Sequence, residues 1–228
     1  MVKDLVLLGI GNHDIIRLVE EINDYKKQYN LIGILEKDST QIGKEVYGCP
    51  ILGTDELLLS ELKNCSVVCN VMATPTVHLN IFNRLISLGI KDFPSLIHPS
   101  VIVKHTSIGI GNIIYEHVNL GTDVRIGNYN ILYPNTTIGH EAKIGDSNLF
   151  ALNIVIGARS TIGNCNLFGN ASTLSLGLSV GDNNMIGVGS VVLDNVKDNC
   201  SLLGNPAVNS MITLTEHVLR KKGKLNKK

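Results

Sequence analysis

From residue 102 to residue 197 the chain sets an apolar residue at every sixth position without a slip. The series opens with Ile102, Ile108, Ile114, Leu120, Ile126, Leu132, Ile138 and Ile144, and runs on through Phe150, Ile156, Ile162, Phe168, Leu174, Val180, Ile186 and Val192. All sixteen are apolar, and ten are followed directly by glycine, as at Gly109, Gly139 and Gly157. A period of six fits neither a helix face nor strand alternation. It fits a solenoid whose six-residue blocks each make one flat side, with the opening residue inward and the glycine where the backbone turns. Three blocks close one coil, so the run predicts about five coils.

The residues before 98 follow a different rule. Apolar runs at 2–10, 31–35, 66–72 and 93–97 predict strands, and segments at 15–29, 55–62 and 76–88 predict helices. That alternation predicts a small parallel α/β unit of Rossmann type. His98-Pro99-Ser100 marks its boundary, because proline restricts the residue before it. The expected organisation is an α/β unit over 1–97, an all-β helix over 98–208, and a tail over 209–228. That tail carries an apolar stripe (Ile212, Leu214, Val218, Leu219) and a basic end, which predict a short helix with a frayed terminus.

Composition narrows the function classes. The formal net charge is zero, which gives no nucleic-acid footprint. The longest apolar runs are too short to span a membrane, and Lys3-Asp4 before the first run does not fit a signal peptide. A cytoplasmic location is the expectation. The five cysteines include no CxxC pair, which points to reduced, structural thiols.

Two stretches carry candidate chemistry. Gly9-Ile10-Gly11 between a strand and a helix suits an anion held on helix N-terminal amides. However, Asp14 stands where a dinucleotide loop has its third glycine, and its charge would repel a pyrophosphate. His140 takes the third place of its block, where small or apolar residues are usual, and a neutral imidazole there suits a general base. Glu141 could fix its tautomer, but neighbours on a strand face opposite ways, so the pair works only at a bent corner. Spacing alone leaves a plain surface histidine as the alternative. His105 and His117 hold the fourth place of their blocks and do not share His140's column. A three-histidine zinc site is therefore not expected, nor the metal-dependent lyase chemistry it would support.

The periodic half resembles the hexapeptide-repeat left-handed parallel β-helix. The whole chain resembles the bacterial sugar acetyltransferases that join a small Rossmann-like domain to such a helix. That family includes sialic acid O-acetyltransferases and N-acetyltransferases of nucleotide-linked 4-amino sugars. The residues that carry the resemblance are Gly9-Ile10-Gly11-Asn12-His13, Ile97-His98-Pro99-Ser100, Ile138-Gly139-His140-Glu141 and Gly204-Asn205-Pro206-Ala207.

The resemblance implies a homotrimer with acetyl-CoA in the groove between neighbouring β-helices, and no metal. It implies His140 as general base, Glu141 as its support and the Ala158 amide as oxyanion donor. It also implies acetyl-CoA contacts at Gly157, Ala158, Asn205 and Pro206. Acceptor contacts are implied at Gly9, Gly11, Asn12, His13 and Glu36. The chain departs from the family at Lys37, where a second acid is usual, and at Leu149, where relatives have a second histidine. It departs again at Asn70-Val71-Met72-Ala73-Thr74-Pro75, usually a polar glycine-rich loop. The expected function is acetylation of a sugar for a surface glycan. N-acetylation of a nucleotide-linked 4-amino-4,6-dideoxy sugar stands first, O-acetylation of a sialic-acid-like sugar second, and a non-catalytic β-helix binding module third.

Overall fold

The structure, a computed structural model, describes residues 2–210; the tail stripe from Ile212 and the basic end lie outside the described residues. The N-terminal unit is built on β1 (Lys3–Leu8), whose Leu5, Val6 and Leu7 are buried on both faces, as an inner parallel strand requires. The chain then forms α1 (Asp14–Tyr25), β2 (Tyr29–Leu35), β3 (Glu45–Val46), β4 (Cys49–Gly53), β5 (Ser66–Cys69) and α2 (Pro75–Ser87). The sheet order is β3-β4-β2-β1-β5, parallel throughout except for β3 against β4. Helix α1 packs Ile15, Ile16, Leu18, Val19 and Ile22 into the core.

Three expectations change here. The β3–β4 hairpin falls in a stretch where no strand was expected. The helix expected at 55–62 is a 3-10 turn over Asp55–Leu59. Only Leu58 is buried in it, so no apolar stripe exists to hold a longer helix. The last strand contracts to Leu96–Ile97 and pairs with Ile113–Ile114 of the solenoid rather than with the first sheet.

The solenoid is a stack of two-residue strands, from Ser107–Ile108 to Val191–Val192, arranged in three parallel sheets. Each pairs with the strand one coil on, as Thr137 with Val155 and Ile138 with Ile156. Leu132, Ile138, Phe150, Ile156, Phe168 and Ile186 fill the interior, and the Phe150 and Phe168 rings stack at 4.9 Å. The first block is the exception. Ile102 is 72% exposed and Val101 takes the inward place, because regular pairing begins only at Ser107.

The glycines do not mark the turns. Left-handed φ falls three residues after the opening residues up to Ile186, as on Asn135 (62°), Glu141 (60°), Asn153 (60°) and Arg159 (59°). Glycine is needed because the next coil's backbone lies against it. A Cβ on Gly139 would sit 2.4 Å from the Ala158 nitrogen, and one on Gly157 2.4 Å from that of Leu176.

One inner corner is lined by Asn112, Asn130, Asn148, Asn166 and Asn184, all buried. Each Oδ1 accepts the amide N–H of the asparagine one coil on, at 2.8 Å. At the ends, Asn112 donates to Ser95 Oγ at 3.0 Å and Cys200 donates to Asn184 Oδ1 at 2.7 Å. The stack closes with Val208–Asn209 antiparallel to Ser201–Leu203.

Candidate functional site

His140 and Glu141 form the corner that follows the strand Thr137–Ile138. The left-handed φ of 60° at Glu141 turns its side chain back toward the imidazole, and Nδ1 and Oε1 lie 2.8 Å apart. This is the bent corner that the sequence required for the pair. Both side chains are 52% exposed, so the contact contributes little stability. What it supplies is orientation: a partner on Nδ1 leaves Nε2 for proton transfer. One coil on, the Ala158 amide donates to no group among the described residues, while Gly157 and Arg159 donate to Leu174 and His140 carbonyls. A free N–H thus lies about 4.8 Å along the stack from His140. The Gly204-Asn205-Pro206-Ala207 turn caps the same sheet, through bonds of 2.9 and 2.8 Å to Val191. Asn205 and Pro206 are exposed there, joined by a cis peptide.

The expected acceptor residues divide among three cavities. One, of about 370 Å³, is lined by Gly9, Gly11, Glu36, Lys37, Asp55 and Arg84. Gly9 and Gly11 both have left-handed φ, and a Cβ on Gly11 would collide with the Asn70 carbonyl oxygen. The Glu36 carboxylate accepts the amides of Ile10 (3.1 Å) and Lys37 (2.8 Å), so it holds the glycine turn in place. Arg84 and Asp55 form an ion pair at the rim. His13 lies outside this cavity, at the N-terminus of α1 with its ring edge-on to Tyr47, and lines a more open hollow of about 390 Å³ with Gly11, Asn12, Met72 and Tyr133.

The second cavity, of about 630 Å³, lies between α1, residues 70–78 and the coil face carrying Ile131 and Leu149. Asn12, Asp14, Arg17, Glu116 and Tyr133 line it, and Met72 borders both cavities. Asp14 therefore places its charge in this chamber and not beside the glycine turn. His140 lines neither cavity.

His78 on α2 also lines the larger cavity and is 5% exposed. Burial pushes its imidazole down from 6.5 to about 4, against a bond to the Cys69 carbonyl that acts the other way. The unfolded chain takes up this proton near pH 6.5 and the folded chain only near pH 4. Stability should therefore fall as pH drops through that window, by about 3 kcal/mol in all. Denaturation midpoints measured from pH 7 to pH 4.5 should decline, and His78→Phe should flatten that decline. An unchanged slope would place the titration on another group.

In the sequence Asp14 stands out only as an obstacle in the glycine loop, and Leu149 and Met72 only as departures from the family pattern. Arg17, His78, Arg84, Glu116 and Tyr133 carried no signal in the sequence; they meet from separate stretches and no motif links them. Among the described residues no group of three His, Cys, Asp or Glu side chains could hold a metal ion, and no helix is long and apolar enough to cross a membrane. All five cysteines are free, and Cys69 is buried with its thiol pushed up to about 11 by desolvation.

No family model matches the chain, and no curated protein matches it. Solved structures do. The acetyltransferase domain of PglB from Neisseria gonorrhoeae FA1090 is 24% identical, with a TM-score of 0.80 over 91% of this chain and 99% of that one. The same domain in complex with acetyl coenzyme A gives a TM-score of 0.77 at 24% identity, over 92% and 100% of the two chains. PerB from Caulobacter crescentus, in complex with CoA and GDP-perosamine, is 20% identical, with a TM-score of 0.69 over 92% and 98%. The likeness spans both halves of the chain and establishes a shared fold.

Proposed function

We propose that this chain is an acetyl-CoA-dependent acetyltransferase that N-acetylates a nucleotide-linked 4-amino-4,6-dideoxy sugar in cytoplasmic synthesis of a surface glycan. The observation that carries the reading is the His140–Glu141 pair at 2.8 Å with the unpaired Ala158 amide one coil away. The fold is that of proteins solved with acetyl-CoA and with CoA and GDP-perosamine. The N-terminal unit is read as Rossmann-like, since its parallel strands run β4-β2-β1-β5 with a glycine turn after β1. The stacked sheets are read as a left-handed β-helix. The boundaries remain 1–97, 98–208 and 209–228.

The chemistry follows from the groups present. The sugar's ammonium first loses a proton to solvent, and the neutral amine attacks the thioester carbonyl. The Ala158 amide stabilises the oxyanion. His140 Nε2 takes the proton from the tetrahedral nitrogen, with Glu141 supporting the imidazolium. The C–S bond then breaks, the proton passes to the thiolate, and an amide and free CoA leave. Gly157, Ala158, Asn205 and Pro206 are assigned to acetyl-CoA, and Gly9, Gly11, Asn12, His13 and Glu36 to the acceptor side.

His140 stands on a different corner from both cavities, which supports a trimer in which one chain's corner meets a neighbour's acceptor chambers. Free-thiol release from acetyl-CoA should appear with one UDP-, GDP- or dTDP-linked 4-amino sugar. Release only with a sialic acid would make the reaction O-acetylation; no release with any acceptor would overturn acetyl transfer.

A further inference from the structure

Several donors that line the larger cavity are already committed. The Asn70 amide donates to the carbonyls of Ile10 and Asn12, Ser147 to that of Pro75, and Asn148 to Asn130 and Gly163. Asn12 donates to the Tyr115 hydroxyl at 3.4 Å. Arg17 faces three carboxylates, with Glu116 at 3.1 Å, Glu21 at 3.6 Å and Asp14 at 4.0 Å. Acceptors are left over. Glu116 Oε2 and His78 Nε2 are buried with no hydrogen-bond partner among the described residues. His78 uses its other ring nitrogen on the Cys69 carbonyl, which leaves Nε2 with a bare lone pair.

The charges point the same way: Arg17 is shared by Glu116, Asp14 and Glu21, and Glu21, which does not line the cavity, also faces His98 at 3.2 Å. A buried acceptor without a donor is costly, and a buried unpaired carboxylate oxygen costs most. The rest of the wall is apolar, with Met72, Ala73, Leu149 and Leu152. A sugar hydroxyl brings a single donor and no charge. A primary ammonium brings three donors and a positive charge.

We infer that Glu116, Asp14 and His78 select the acceptor at binding by receiving the protonated amino group of an amino sugar in this cavity. The inference rests on the acetyl-transfer reading and adds to it the residues that would distinguish an amine from a hydroxyl. Burial pushes the Glu116 carboxyl up, but hydrogen bonds from its own amide and from Arg17 outweigh this and hold it below the usual range, so it is ionised at neutral pH. Holding the ammonium favours its charged form, so these are positioning residues. They favour the amine on arrival and do not accelerate the attack.

The test is calorimetric binding without acetyl-CoA. The probes are UDP-, GDP- and dTDP-linked 4-amino-4,6-dideoxy hexoses and the same compounds bearing a 4-hydroxyl. The wild type should bind the amino form of one nucleotide sugar about tenfold or more tightly than its hydroxyl counterpart, as a charge-assisted contact predicts. Glu116→Gln keeps an acceptor for Arg17 and should shrink the preference to about threefold or less, with melting unchanged. In turnover it should raise KM for the amine and leave kcat within a few-fold, and Asp14→Asn should act in the same direction. Equal binding of both forms by the wild type would overturn the inference, as would full preference retained in Glu116→Gln. Thiol release measured in parallel separates the two claims. Release with hydroxyl acceptors alone would sink amine selection and leave acetyl transfer standing, whereas no binding and no release would remove both.

Discussion

His140→Ala should lower turnover by about 10²-fold or more, the usual cost of losing a general base, while the melting temperature stays near that of the wild type. The two effects separate because of where the side chain sits. The His140 ring is half exposed, fills no part of the prism, and among the described residues bonds only to Glu141. The close packing at this corner involves its backbone, which lies 2.5 Å from where a Cβ on Gly121 would be, and alanine keeps that backbone. Thiol release at saturating acetyl-CoA and thermal melting would be run on the same preparation. A variant that loses turnover only because it has unfolded would show His140 to be a packing residue, and the proposed mechanism would fail.

Ile138→Asp, two residues earlier, should do the opposite. Ile138 is 1% exposed and stacks between Leu120 and Ile156 in the prism. A carboxylate there has no partner within a column of aliphatic side chains, and a loss of about 4 kcal/mol or more is expected. For a chain of this length that amounts to a drop of roughly 10 °C in Tm. Lys143→Asp provides the comparison, because Lys143 faces outward on the next strand and should change Tm little. If Ile138→Asp melted like Lys143→Asp, the inward assignment of the opening residues would be wrong.

The solenoid was legible in the sequence because its rule is local: every coil repeats the same demand on an inward residue, and six-residue spacing states it directly. What the spacing did not show was the reason for the glycines. The positive φ falls on Asn135, Glu141 and Arg159, while Gly139 and Gly157 are small because another coil's backbone presses on them. That contact joins residues a full coil apart and has no local signature. The α/β half was harder to read. The β3–β4 hairpin is too short to produce a period, and Leu96–Ile97 is apolar in either sheet, so only pairing decides where it belongs. The candidate site divides in the same way. His140 and Glu141 are adjacent in the chain and could be weighed as a pair. The cavity formed by Asp14, His78 and Glu116 could not, since three distant stretches meet only after folding.

The asparagine column has a consequence for assembly. Each coil offers the next an identical row of N–H and C=O groups, and a row without an end is how a fibre grows. Along the asparagine column both ends are shut. Ser95 accepts from the first asparagine, and Leu96–Ile97 covers the adjoining strand beneath the N-terminal unit. Cys200 occupies the last carbonyl, and Val208–Asn209 runs backwards across Ser201–Leu203. A reversed strand cannot pass on a parallel register. The asparagine column therefore has a fixed length, and two copies meeting end to end cannot continue it from one to the other.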